Sequence, residues 1–418
     1  MKVLFLNAYF HPESVAFTHL EHDLLSALTK EKHEITVICP SPTRGISKEI
    51  AQQYKKIKTE DLYDGQVHAV RFWAPQEGKN PILRAIRYVW CNLRTYQLAR
   101  HYADVDLIFA NSTPPTQGML AGLVKKALSK KKGKKVPFVF DLQDVFPDSL
   151  LNANMTKKDS IIWKIGRKIE DYAYRSADKI ITISDGFKSN IVEKGVLPEK
   201  VRVIPNWINT DSVRPIRRED NILFDRYGLD RNGFYICYSG NLGHSQNLHL
   251  LIEAAKSLCN ELPDVKIVLI GEGAEKENLE KKIQEERLTN IILLPFQPYE
   301  EISYVFSLGD AGLIISKPGI GTSSVPSKTW SIMAAERPVL ASFDQGSQLT
   351  DLIEHLQVGI TAPAGDLEAL LGAVKTLYCN KEMNMEMGMI GRKYVSETIS
   401  RDKCVGQYLQ VMTEVTDI

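Results

Sequence analysis

Short apolar runs alternate with longer stretches of helical period along most of this 418-residue chain. In the first half, residues 3–6, 35–39, 69–72, 107–110, 138–140, 180–183 and 201–204 have the apolar length of buried strands. Amphipathic stretches at 20–30, 84–102 and 163–177 lie between several of them. Uniformly apolar strands separated by helices predict a parallel sheet covered on both faces. The rhythm then restarts, with strand-like runs at 234–238, 265–270, 291–294, 311–315, 338–341 and 359–362 and helical segments at 248–262 and 275–287. Between the two series, Pro205-Asn206-Trp207-Ile208-Asn209 and the charged stretch 214–220 read as a hinge. The expected fold is α/β, with two doubly wound, Rossmann-like domains at 1–205 and 206–400 facing across a cleft. A last helix at about 401–418 is expected to pack back on the first. Ligands of such sheets bind at the carboxyl ends of the strands, so the loops there are where chemistry is sought.

Composition narrows the classes. A hydrophobic fraction of 44% and a charged fraction of 25% are those of a folded, soluble protein. A net charge of +1 gives no reason to expect a nucleic-acid partner. No apolar run is long enough to span a bilayer, and the first residues have the length of a strand rather than a leader. Six scattered cysteines, without CxxC or a Cys/His cluster, suggest reduced thiols in a cytoplasmic protein and no metal.

Several loops at the strand ends carry candidate chemistry. After the run 311–315 comes Gly319-Ile320-Gly321-Thr322-Ser323-Ser324-Val325-Pro326-Ser327-Lys328, leading into a short helix. Glycines, hydroxyls and a lysine at a helix start suit a phosphate, although ordinary strand-to-helix turns share these features. After the run 234–238, Ser239-Gly240-Asn241-Leu242-Gly243 again lets backbone approach an anion, or makes a plain tight turn. Gly271-Glu272-Gly273 and Phe296-Gln297-Pro298 follow the next two runs and suit a nucleobase; each alone is bland, but four loops on one edge are not. In the first half, Tyr9-Phe10-His11-Pro12-Glu13 offers His11 and Glu13 for acid–base work or substrate contact, or else a solvated imidazole and a helix start. Asp141-Leu142-Gln143-Asp144-Val145-Phe146-Pro147-Asp148 gathers three carboxylates and an amide suited to sugar hydroxyls, with Asp148 the candidate helix cap. Asn111-Ser112-Thr113 completes that wall. Serine-elbow, zinc-protease and P-loop motifs are absent. Arg84, Arg87, Arg94 and Arg100 with Ile86, Tyr88, Val89, Trp90 and Leu93, together with the lysine run 125–135, are either an anionic-membrane contact or a core stripe and a solvated loop.

Together these segments resemble the family-four retaining glycosyltransferases of the two-domain GT-B fold, in the bacterial branch that builds O-antigen, capsule and exopolysaccharide. The resemblance spans nearly the whole chain and is carried by the 9–13 and 141–148 segments, Ser176-Ala177-Asp178-Lys179, Ile183-Ser184-Asp185-Gly186-Phe187, Val203-Ile204-Pro205-Asn206-Trp207-Ile208-Asn209, Ser239-Gly240-Asn241-Leu242-Gly243 and Val325-Pro326-Ser327-Lys328. It implies a nucleotide-sugar donor in the second domain, an acceptor in the first, and retention by front-face attack without a protein nucleophile. On it, Lys328 would neutralise the diphosphate with Ser327 and the Gly240–Asn241 backbone, Asp144 and Gln143 would orient the sugars, and Glu13 would contact donor or acceptor. Donor contacts fall on Gly240, Asn241, Gly243, Gly271, Glu272, Gly273, Phe296, Gly321, Thr322, Ser323, Pro326, Ser327 and Ser331, and acceptor contacts on His11, Asn111, Ser112 and Thr113.

The chain departs from the family pattern at named places. Ser323 and Ser331 stand where many members carry glutamates, so ribose binding must be met otherwise. Asn241 replaces a usual arginine, Gln246 or Asn247 a lysine, Glu336 a glycine, and Gln143 a histidine. The expected activity is transfer from a UDP-sugar, or a GDP-sugar, to an undecaprenyl-diphosphate-linked glycan. No cofactor or metal is expected, the expected place is the cytoplasm at the inner face of the membrane, and the acceptor raises the expectation of membrane contact. A nucleotide-sugar 2-epimerase and a non-catalytic subunit supporting a partner enzyme are the competing readings.

Overall fold

The computed structural model describes residues 1–13, 17–77, 80–152, 156–319 and 325–417. Contacts divide the chain into two units, Met1–Pro205 with Cys404–Ile418, and Asn206–Lys403. The first is built on β1 (Lys2–Leu6), β2 (Glu34–Pro40), β3 (Thr59–Leu62), β4 (Val67–Phe72), β5 (Leu107–Asn111), β6 (Phe138–Leu142), β7 (Lys179–Thr182) and β8 (Val201–Val203). They form one sheet in the order β3-β4-β2-β1-β5-β6-β7-β8. All pairs are parallel except β3 with β4. The apolar runs become strands because both sheet faces are covered: β1, β5 and β6 are buried almost throughout. Helix Thr18–Lys30 shows the matching helical period, burying Leu20, Leu24, Leu25 and Leu28 on one face. Strand β3, Thr-Glu-Asp-Leu, was not foreseen, because a half-exposed antiparallel edge strand needs no apolar run.

The second unit contains β9 (Phe234–Ser239), β10 (Val265–Ile270), β11 (Ile291–Leu294), β12 (Ala311–Ile315), β13 (Val339–Phe343) and β14 (Gly359–Pro363), in the order β11-β10-β9-β12-β13-β14. Every pair is parallel. Its core joins Ile236, Tyr238, Leu251, Ile267, Leu313 and Leu340.

These strand orders fix where a ligand is received. In the first sheet the chain runs outward from β1 toward β2 on one side and β5 on the other. In the second it diverges between β9 and β12. At such a switch point the loops leave the carboxyl edge in opposite directions and open a crevice between them. The described loop residues at these two places are 7–13 and 112–113 in the first unit, and 240–247, 316–319 and 325–327 in the second.

Candidate active site

In the second unit β9 runs out at Ser239, and Gly240 turns the chain with φ +146. The loop after β10 opens at Gly271 with φ +154. The two loops then lie backbone against backbone: Gly240 donates to the Ile270 carbonyl at 2.9 Å, Leu242 to that of Glu272 at 2.8 Å, and Glu275 to that of Leu242 at 2.8 Å. A Cβ on Gly271 would fall on the Gly240 carbonyl oxygen, and one on Gly273 would fall on Leu242. A Cβ on Gly240 would lie 2.6 Å from the Lys328 Nζ. The glycines are therefore what brings two loops and a lysine to one spot.

Lys328 begins the helix Lys328–Ala334, whose first turn is closed by Thr329 and Trp330 donating to the carbonyls of Pro326 and Ser327. Its ammonium sits 3.8 Å from the centre of the Tyr238 ring, whose hydroxyl donates to the Asn241 carbonyl at 2.7 Å. No carboxylate among the described residues pairs with it. Removal from water pushes its pKa down to about 7. An unpaired, desolvated cation beside exposed backbone favours a ligand that brings negative charge. The helix His249–Glu261 starts at the end of the Gly240 loop and turns its positive dipole end to the same edge.

The rest of the second-unit set is more mixed. Gly321, Thr322 and Ser323 lie outside the described residues. Ser331 is buried one turn beyond Lys328. Asn241 is exposed, Phe296 is 70% exposed after β11, and Glu272 is engaged with Lys276 at 2.7 Å. Glu336 adopts φ +55, a left-handed geometry that a glycine would take without strain. One local device escaped the sequence reading: Glu275 binds His244, His249 at 2.8 Å and Asn278 at 3.2 Å, fastening the Gly243–Asn247 loop to the next helix.

In the first unit the β5 and β6 loops are braced together. Ser112 Oγ accepts the backbone N–H groups of Gln143 at 3.0 Å and Asp144 at 3.1 Å, and Asn111 Oδ1 accepts that of Thr113 at 3.0 Å. Gln143 Nε2 donates to both Asp141 oxygens at 3.0 Å, and the Tyr408 hydroxyl donates to Asp141 Oδ1 at 2.9 Å. Burial pushes the Asp141 carboxyl up to about 6, against those two hydrogen bonds. Burial likewise raises Asp144, while the Ser149 hydroxyl and the Val145 N–H oppose it. Asp148 starts the helix Asp148–Asn152 and is held below the usual carboxylate range, burial being outweighed by Lys194 at 2.8 Å and Asn190 at 3.0 Å.

The expected contact between Glu13 and a sugar is corrected by the geometry. Its carboxylate is buried and accepts the N–H groups of Phe10 at 3.2 Å, Thr43 at 2.7 Å and Arg44 at 2.9 Å. It ties its own loop to the one that follows β2, which leaves the carboxylate committed to backbone donors. His11 is exposed on a cavity of about 250 Å³, lined also by Phe10, Glu21, Leu25, Leu62 and Tyr63. Glu21, unmarked in the sequence, is bonded to Asn7 at the end of β1, and burial pushes its carboxyl up to about 8 with the Asp141 charge adding to the effect. Among the described residues no cluster of three or more His, Cys, Asp or Glu side chains could hold a metal.

Residues 21–212 match the family model "Glycosyltransferase Family 4", and residues 219–394 match "Glycosyl transferases group 1". The chain belongs to the family-four glycosyltransferases. This glycosyltransferase is 25% identical to WbjE of Pseudomonas aeruginosa, named as a probable glycosyltransferase, over 79% of the chain and 80% of that protein. It is 26% identical to WcaI of Escherichia coli, named for colanic acid biosynthesis, over 68% of the chain and 69% of that protein. A 25% match, over 56% of the chain and 57% of the relative, is to the Campylobacter jejuni enzyme named N-acetylgalactosamine-N,N'-diacetylbacillosaminyl-diphospho-undecaprenol 4-alpha-N-acetylgalactosaminyltransferase. The crystal structure of Anabaena Alr3699/HepE with UDP superposes with a TM-score of 0.70 at 17% identity, over 99% of this chain and 100% of that one. The shared fold is GT-B.

The glycine packing gives a direct test. Gly271→Ala forces backbone apart and is expected to destabilise this glycosyltransferase by about 1–3 kcal/mol in a denaturant titration. Gly372→Ala, in a helix interior with open space around it, should instead stabilise by about 0.5–1 kcal/mol. Equal effects at both positions would contradict the close approach of the two loops.

Proposed function

We propose that this glycosyltransferase transfers a sugar with retention from a UDP-sugar to a lipid-linked glycan acceptor in bacterial surface-polysaccharide biosynthesis. The observation that carries the reading is the Lys328 ammonium, desolvated on Tyr238 and without a carboxylate partner among the described residues, at the edge of the Gly240–Gly243 loop. Transfer breaks the bond between the anomeric carbon and the diphosphate, so negative charge grows on the leaving oxygen. A cation already stripped of water stabilises that charge more than a hydrated one does. The N-terminus of the helix His249–Glu261 and the loop backbone add partial positive charge. A leaving phosphate oxygen takes the acceptor proton on the same face, which gives retention and requires no protein nucleophile. On the acceptor side, Gln143 and Asp144, braced by Ser112, orient sugar hydroxyls. UDP as the nucleotide is supported by the UDP complex of the structural relative. A lipid-linked acceptor is supported by the Campylobacter jejuni relative's substrate.

A membrane-bound acceptor calls for a surface that meets lipid, and helix Pro81–Ala99 offers one. Leu83, Ile86, Val89 and Leu93 are each more than 55% exposed, and Trp90 packs edge-on against the exposed Trp73. The basic groups expected beside them are fewer than the sequence suggested. Arg87 is buried against Glu77, Thr43 and the Pro75 carbonyl, while Lys125 and Lys135 are spent on Asp178 and Lys132 on Asp106. Arg94, Arg100, Lys126, Lys130 and Lys131 remain to meet anionic headgroups. Among the described residues no helix is long and apolar enough to cross a membrane, so the proposed contact is peripheral.

Two experiments follow. Lys328→Ala should lower kcat for sugar transfer about 10²–10³-fold with the folded state intact; unchanged turnover would remove Lys328 from the mechanism. The same assay separates the readings, because an epimerase would convert a UDP-sugar without an acceptor and a supporting subunit would convert none. The double substitution Ile86→Glu, Val89→Glu should abolish cosedimentation with phosphatidylglycerol vesicles while leaving UDP binding unchanged. Retained sedimentation would discard the helix as the lipid-facing surface.

A further inference from the structure

We propose that Tyr408, on the C-terminal helix, is a positioning residue that holds the Asp141–Gln143 pair on the acceptor side of the site. The inference rests on the transferase reading given above. The helix Arg401–Thr416 returns to the first unit from Cys404 onward. Its attachment is distributed: Tyr408 meets Asp141, Glu414 meets Arg202 at 3.2 Å, and Thr416 reaches Met1. Of these, Tyr408 alone touches a strand end that carries candidate chemistry.

Its surroundings explain why the contact matters. Tyr408 is 2% exposed, with its ring 6.3 Å from that of Phe109 on β5. Phenylalanine would fill the same space, so packing does not require the hydroxyl. A buried hydroxyl is costly unless bonded, and this one is bonded to a carboxylate. Asp141 lies on β6 opposite Asn111, and it is fixed from two sides, by Gln143 two residues on and by Tyr408 267 residues on. Glu21 faces the same carboxylate from helix Thr18–Lys30, and Cys404 lies one turn before Tyr408. With burial around it, the direction of Asp141 depends on its two donors. Gln143 in turn is placed by Asp141 through its side chain and by Ser112 through its backbone. Removing the Tyr408 hydroxyl leaves the pair with one donor and loosens the amide expected to meet the acceptor.

The test is Tyr408→Phe in the full chain, read in two ways. Carbon-13 titration of the Asp141 carboxyl should show its pKa rising by about one unit, because a hydrogen bond to the charged form has been lost. Turnover should fall about 10²-fold, with KM for the UDP-sugar within twofold of wild type. In an Asp141→Asn background the substitution should cost nothing further. Thr416→Val, on the same helix, should leave both readouts unchanged. An Asp141 carboxyl that titrates alike in both proteins would overturn the inference and leave the transferase reading standing. A fall in turnover that persists in full in the Asp141→Asn background would also overturn it. Titration of the unliganded protein needs no turnover, so a wild-type chain that transfers no sugar would sink the transferase reading separately.

Discussion

The second unit depends on one costly placement, an ammonium taken out of water onto an aromatic face with no counter-ion among the described residues. Lowering a lysine from its ordinary 10.5 to about 7 corresponds to about 5 kcal/mol of lost solvation of the charged form. The Tyr238 ring returns only about 1–2 kcal/mol of this. A folded chain tolerates the deficit only when the surrounding contacts leave the lysine no other place. Those contacts are the short helix that starts at Lys328, the buried Trp330 and Ile332 that fix that helix, and the backbone bonds that press the Gly240 loop onto the Gly271 loop. A diphosphate would supply the missing negative charge, which turns the deficit into binding and catalytic free energy.

The first unit handles charge in the opposite manner. Its candidate carboxylates are braced rather than left unpaired. Asp141 has Gln143 and Tyr408, Asp148 has Lys194 and Asn190, and Glu13 has three backbone donors. Asp144 carries a raised pKa with no cation opposing it, only the Ser149 hydroxyl and the Val145 N–H, which suits a group that meets neutral sugar hydroxyls. The unit thus combines a braced polar floor with a helix whose leucine, isoleucine and valine positions at 83, 86, 89 and 93 are exposed.

Much of this was legible in the sequence, for a physical reason. Parallel strands buried on both faces must be apolar throughout, so strands such as β1, β5, β6 and β12 announced themselves and the polar edge strand β3 did not. Glycines at the ends of β9 and β10, and Lys328 after β12, were readable because strand order places all three loops at one edge. What stayed hidden were contacts made across long separations. Nothing near Glu13 in the chain reveals that the N–H groups of residues 43 and 44 point at it. Glu21 with Asn7, Tyr408 with Asp141, and the lysines 125 and 135 on Asp178 are of the same kind. The serine at 331 shows a further limit, since its burial is visible only once the helix is packed.

The central claim, that Lys328 is held short of its full charge until a diphosphate arrives, is tested most directly by calorimetry of UDP binding across pH in buffers of different ionisation enthalpy. A lysine with a free-state pKa of about 7 that rises on binding must take up a proton, so the account predicts proton uptake above neutrality and affinity that falls as pH climbs through 7 to 9. Both effects should vanish in Lys328→Met. Proton-neutral binding with a flat affinity over that range in the unaltered protein would contradict it.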